Sequence, residues 1–188
     1  MLYPQDRRTL EGVAFLFAFA ACIPVANWLI GHAGSVCVPN GPCLIPVAPG
    51  LMAPSGVLMV GLALVLRDLV QRRLGKGWSL VAILAGAVLS GTLAPPTLIL
   101  ASTAAFLLSE TADFIVYTPL QRRRLLLAVA ASSLAGLVVD SAVFLWFAFG
   151  SFEFLAGQII GKAWMVLFSL PLIIWLRAYD ERHGIVPA

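Results

Sequence analysis

The sequence predicts an all-α integral membrane protein: six transmembrane helices forming one domain over residues 1–188, with the N- and C-termini in the cytoplasm. Three observations carry that reading. Six long apolar runs take up most of the chain, each interrupted at most once or twice by a charge. The composition is 61% hydrophobic and 11% charged, with a mean hydropathy of +0.97, outside the range of a soluble domain. Eleven of the twelve Lys and Arg fall on one side of the runs.

The runs are residues 10–30, 51–70, 78–94, 97–117, 125–149 and 155–176. A helix rising about 1.5 Å per residue needs about 20 residues to cross a hydrocarbon core about 30 Å thick, and each run is close to that. Helices of a soluble core would carry polar faces at helical spacing, which these mostly lack. Span one is too long and uniform for a cleaved leader and is expected to stay as a helix. The connection between spans one and two, residues 31–50, carries Cys37 and Cys43 among four prolines. On an oxidising face these cysteines either close a small turn or remain two thiols. Cys22, alone in span one, reads as a packing residue, and no metal-binding spacing is present. No cofactor is expected.

Orientation follows from charge. Arg7 and Arg8 precede span one; Arg67, Arg72, Arg73 and Lys76 lie at the turn between spans two and three. Arg122, Arg123 and Arg124 separate spans four and five, and Arg177 and Arg182 follow span six. The positive-inside rule puts all four segments in the cytoplasm. The net charge of +3 reflects this asymmetry. Four short basic segments do not make a nucleic-acid surface, so no nucleic-acid partner is expected, and the bilayer is the environment.

The charges inside the runs mark the site, because a charge at mid-bilayer costs about 2.5–3.5 kcal/mol on insertion scales and is seldom kept without a task. They are Arg67 and Asp68, Glu110 and Asp113, Asp140, and Lys162. Asp140 lies about 14 Å and Lys162 about 10 Å below the outer face, on spans joined by a short turn, so they are able to pair. Glu110 lies about 18 Å deep on span four. Polar stripes run along three helices: Ser102, Phe106, Ser109, Glu110, Asp113 and Tyr117; Ser132, Gly136, Asp140 and Phe144; Gln158, Lys162, Met165 and Ser169. Polar groups mixed with aromatics suit a flat, hydrogen-bonding ligand. The six charges sum to an excess of two negatives if all ionise, which favours a cation, a proton or a donor-rich edge. A carboxylate accepts two adjacent N–H groups, as a guanine-like edge offers. The structural alternatives are ion pairs that fix helix register and small residues such as Gly157-x-x-x-Gly161 that only permit close packing.

The order and spacing of several motifs resemble a known family. Asn27-Trp28 closes span one, and Ala53-Pro54-Ser55-Gly56 opens span two ahead of Gly61 and Arg67-Asp68. Then come Ser102, Ala105-Phe106, Ser109-Glu110-x-x-Asp113 and Tyr117, followed by Asp140-Ser141-x-x-Phe144 and Gly157-Gln158-x-x-Gly161-Lys162. This is similar to the VUT family of vitamin-uptake transporters, which includes queuosine-precursor transporters. The resemblance implies a fold similar to the substrate-binding components of energy-coupling-factor transporters. It implies import of a cyano- or aminomethyl-deazaguanine base across the cell (inner) membrane. It makes Glu110, Asp113, Asp140 and Lys162 substrate and coupling residues, supported by Asn27, Arg67, Ser109 and Gln158. Phe106 or Phe144 would stack on the ring. The chain is short for the family and its cysteine-bearing loop is long. The small-residue pattern Ala14-x-x-x-Ala18 leaves open a component that needs a partner ATPase module, and a homo-oligomer stays open as well.

Two other classes compete. An intramembrane aspartyl protease would need facing carboxylates, for which Asp113 and Asp140 are available, but the glycine-flanked aspartate motif is missing. A serine hydrolase would need a base, and the histidines, His32 and His183, lie outside the spans; Ser141 with Lys162 is the remaining pair. There is no HExxH. The expectation is therefore a transporter and not an enzyme. An assembly protein without substrate, its polar stripes serving as pairing surfaces, is the third class.

Overall fold

The structure, a computed structural model, describes residues 4–39 and 41–185. Six long helices carry the fold: α1 (Pro4–His32), α2 (Val57–Leu74), α3 (Lys76–Leu93), α4 (Ile99–Leu120), α5 (Leu125–Phe149) and α6 (Leu155–His183). A short 3₁₀ turn, Pro96–Leu98, leads into α4. Five of the described helices are long and apolar enough to cross a membrane: α1, α3, α4, α5 and α6. Large apolar side chains such as Phe17, Leu84, Leu100, Ile115, Leu134 and Phe168 project outward from them. Polar residues such as Ser132, Ser133, Gln158 and Asp113 are buried instead. Apolar outside and polar inside is the pattern lipid imposes, since the surrounding solvent is itself apolar.

The remaining helix, α2, is the axis of the bundle. Every residue from Ala63 to Arg73 is buried, and α1, α3, α5 and α6 pack around it. Its charges, Arg67, Asp68, Arg72 and Arg73, keep it from reading as a simple apolar span. Being enclosed by other helices makes those charges tolerable.

Span two was expected over residues 51–70, and this is corrected. Leu51–Pro54 is a strand, and the helix starts only at Val57. Over four residues an apolar run does not distinguish strand from helix. The strand belongs to a feature that helical periodicity does not reveal. A three-stranded antiparallel sheet, β1 (Val36–Cys37), β2 (Cys43–Ala48) and β3 (Leu51–Pro54), caps one end of the bundle. Cys37 and Cys43 face each other across β1 and β2 and form a disulfide. Gly50, at φ 73°, makes the turn into β3, a conformation that glycine adopts without strain. The sheet is tied down by Ser55 Oγ donating to the Leu29 carbonyl at 2.7 Å and by Trp164 Nε1 donating to the Val47 carbonyl at 2.9 Å.

Opposite the sheet, the termini-bearing end is solid. Val65, Leu69, Tyr117, Leu125, Val129, Ile173 and Leu176 form one buried cluster between α2, α4, α5 and α6. Beyond it, Asp180 of α6 accepts from Arg72 Nη2 at 2.7 Å and Arg73 Nη2 at 2.8 Å, while Arg73 Nε lies 2.9 Å from Glu11 of α1. Arg72 and Arg73, expected at the turn between spans two and three, thus sit in the last turn of α2 and bind three helices together.

Candidate functional site beneath the sheet

A cavity of about 100 Å³ lies in the sheet-side half of the bundle. Its walls come from α1, α2, α3, α4, α5 and α6. The apolar part includes Ile23, Val57, Met59, Ala105, Phe106 and Phe144, and the polar part includes Asn27, Ser109, Glu110, Asp140, Gln158 and Lys162.

The polar wall is organised by one cation. Lys162 Nζ donates to Asp140 Oδ2 at 2.6 Å, to Gln158 Oε1 at 2.6 Å and to Ser141 Oγ at 2.7 Å. An ammonium has three protons, and all three are used. Gln158 precedes Lys162 by one helical turn, and α5 and α6 are antiparallel neighbours, so the sequence itself brings the group together. Ser109 Oγ donates to the Phe106 carbonyl at 3.1 Å and lies 3.5 Å from Asp140 Oδ1. Asn27 Nδ2 donates to the Ile23 carbonyl at 2.9 Å within its own helix. Phe106 is braced by Phe19, ring centroids 5.9 Å apart, and Phe144 by Phe149 at 6.0 Å.

Glu110 lies at the floor. It lines the cavity, yet its Oε2 accepts from Arg67 Nε at 3.1 Å. Below it, Arg67 Nη2 also meets Asp113 Oδ1 and lies 2.9 Å from Asp68 Oδ1, while its Nη1 donates to Gln71 Oε1 at 3.1 Å. Ser132 Oγ donates to Asp68 Oδ2 at 2.9 Å. Asp113, expected as a substrate or coupling residue, and Arg67, expected as a supporting one, are 0% exposed and absent from the cavity wall. The same holds for Asp68. Spacing along a helix assigns a face but not a depth, and Asp113 is one turn below Glu110 on the same face. The negative excess therefore belongs to this lower cluster, whereas Asp140 and Lys162 balance each other in the cavity.

The structure thus brings together eight of the expected residues at the cavity: Asn27, Phe106, Ser109, Glu110, Asp140, Phe144, Gln158 and Lys162. Sequence reasoning missed the contributions of β3, α2 and α3, including Pro54, Met59 and Ser90. A serine near the end of an otherwise apolar span is a faint signal, and a methionine among apolar residues gives none.

Residues 92–176, covering α4, α5 and most of α6, match the family described as putative vitamin uptake transporter. Over that stretch, a little under half of the chain, the sequence is similar to this family. No curated protein and no solved structure matches the chain. The family is one of transporters, and with five membrane-length apolar helices the chain is a multi-pass membrane protein. Asn27 and Arg67 lie outside the matched stretch; the other named candidates lie within it.

Proposed function

We propose that this chain imports a small planar nucleobase-like molecule, with a cyano- or aminomethyl-deazaguanine, a queuosine precursor, as the substrate that best suits the cavity. The observation that carries this is the cavity's make-up: carboxylates and amides converge on one space, with Phe106 and Phe144 available for stacking. Glu110 or Asp140 accepts the donor edge of the base, and Lys162 donates to Asp140 beside it. Glu110, Asp140, Lys162, Gln158, Ser109 and Asn27 form the substrate site, and Arg67 and Asp113 support Glu110 from below.

In this reading all six helices, α2 included, cross the cell (inner) membrane. The sheet end faces outward and both termini are cytoplasmic. Lys76 and Arg122 to Arg124 lie at the terminal end, which the positive-inside rule favours for the cytoplasm. The disulfide at the sheet end suits an oxidising exterior. With the cavity in the outer half and the inner half packed, substrate enters from outside.

Chemistry is the weaker reading. Ser141 Oγ is close to Lys162, but it also donates to the Leu137 carbonyl at 2.6 Å and does not line the cavity. Lys162 Nζ is already engaged with Asp140 and Gln158 as well as with Ser141. Asp113 and Asp140 are held by different cations, Arg67 and Lys162, which does not favour an aspartyl pair. One observation favours a second transport reading: Ala14 and Ala18 are exposed on α1, a small-residue surface on which a partner ATPase module could pack.

The deciding experiment is expression in cells unable to make or import the precursor, followed by measurement of queuosine in tRNA. Rescue by an added deazaguanine is expected. Failure with every deazaguanine, in cells where the protein reaches the membrane, overturns the substrate.

A further inference from the structure

The group beneath the cavity has more negative charge than it can hold. Arg67 is the guanidinium at its centre, and Asp68, Glu110 and Asp113 all contact it. None of the four side chains is more than 2% exposed. The other buried cations are engaged elsewhere, Lys162 with Asp140, and Arg72 and Arg73 with Asp180. Three ionised carboxylates against one guanidinium would leave two uncompensated negative charges in the interior, where even one is expensive. Asp68 and Asp113 sit on the same nitrogen, Nη2, and two like charges on one site resist ionising together.

A second observation points to what balances the charge. Asp113 Oδ2 and Tyr117 Oη are fully buried and have no hydrogen-bond partner. Of the two, the carboxylate oxygen Asp113 Oδ2 is one to which a proton can be added without displacing anything, and the Tyr117 hydroxyl already carries its own. Among the described residues, no group of three or more His, Cys, Asp or Glu is arranged to hold a metal ion. The guanidinium occupies the centre that a cation would need.

We propose that Asp68, Asp113 and Glu110, gathered on Arg67, form a proton-binding site that couples import to the proton gradient. This deepens the importer reading and rests on it. The titratable and charged groups facing the site are Cys22 from α1, Arg67, Asp68 and Arg72 from α2, Glu110, Asp113 and Tyr117 from α4, and Asp140 and Lys162 across the cavity from α5 and α6. Of the three carboxylates on Arg67, only Glu110 reaches the cavity, so the proton arrives from the outer side. Leu69, Tyr117, Val129 and Ile173 block the inner side. A base whose N–H edge binds Glu110 competes with Arg67 Nε for the same carboxylate. A proton on Asp68 or Asp113 removes one of the charges gripping Arg67. Together they loosen α2 from α4, and the proton leaves to the cytoplasm with the base.

The full chain is reconstituted in liposomes with the membrane potential clamped, and the neutral cyano-deazaguanine is the probe. Counterflow of labelled base needs no ion gradient and tests the importer alone; its absence overturns both readings. Where counterflow is present, an inward proton gradient should raise accumulation about tenfold per pH unit for one proton per base. A trapped pH dye should show base-dependent acidification. Accumulation indifferent to the proton gradient, or driven by a sodium gradient instead, overturns the coupling and leaves the importer standing. Asp68→Asn should lose the response to the gradient while the base still stabilises the detergent-solubilised protein against heat. Retention of the gradient response in that variant also overturns the proposal.

Discussion

Lys162 Nζ lies 2.6 Å from Asp140 Oδ2, bridging α6 to α5 along the cavity wall. Both groups are buried, Lys162 almost completely. Removing one partner strands a charge, which costs about 3–5 kcal/mol in buried pairs, whereas replacing both with neutral groups is often close to neutral. Asp140→Asn and Lys162→Met are each expected to lower thermal stability in detergent strongly. The double variant should recover much of it, while base uptake stays lost in all three. A double variant as unstable as either single one would contradict pairing as the main role.

Stacking predicts a graded loss. Phe144→Leu keeps the wall apolar but removes the flat ring. Aromatic pairs contribute about 0.5–1.5 kcal/mol beyond area, so affinity for a deazaguanine should fall by about two- to tenfold. Titrating the ligand-induced rise in melting temperature measures it. Unchanged affinity in both Phe144→Leu and Phe106→Leu would remove stacking from the mechanism.

Close approach of α2 to α6 depends on a missing side chain. A methyl at Gly61 would meet the Lys162 carbonyl oxygen at 2.6 Å and its Cα at 2.8 Å. Backbone cannot swing aside, so Gly61→Ala should destabilise by about 1–3 kcal/mol and shift Lys162 away from Asp140. Gly31, with nothing within 4 Å of its would-be methyl, is the control. Gly31→Ala, within α1, should be neutral or stabilising by up to about 1 kcal/mol. Equal effects at the two sites, read by thermal unfolding, would refute the packing argument.

At the terminal end, Asp180→Ala leaves Arg72 without its carboxylate and Arg73 with only Glu11. Loss of about 3–5 kcal/mol is expected, with little change on adding salt because the pairs are screened poorly when buried. Asp180→Asn should lose less, since its amide oxygen still accepts. A melting temperature unaltered by Asp180→Ala would show that the network does not hold the helices.

Much of this was legible in the chain because lipid leaves a coarse signature. Span five, residues 125–149, matches α5 residue for residue, since arginines and a glycine bound an unbroken apolar run. Asp140 and Lys162 were readable as a pair because a short turn fixes the register of two antiparallel helices. The sheet was not readable: its strands are two to six residues long and rich in proline, too short for any periodicity. The disulfide had even alternatives, because spacing alone does not bring two thiols together. Arg72 and Arg73 looked like loop charges because their partners, Glu11 and Asp180, are far away in sequence. Nor did the sequence separate Arg67 and Asp113 from the cavity, as depth within a bundle depends on how the helices are stacked.

The knot that Asp180 ties with Arg72, Arg73 and Glu11 bears on how the far side opens. Four salt-bridged side chains from three helices cannot be pulled apart in a dry bilayer. They separate only if water floods in to hydrate each one as it is released. An inward-facing form would therefore be wet from its first moment, with a vestibule filling ahead of the cargo rather than behind it.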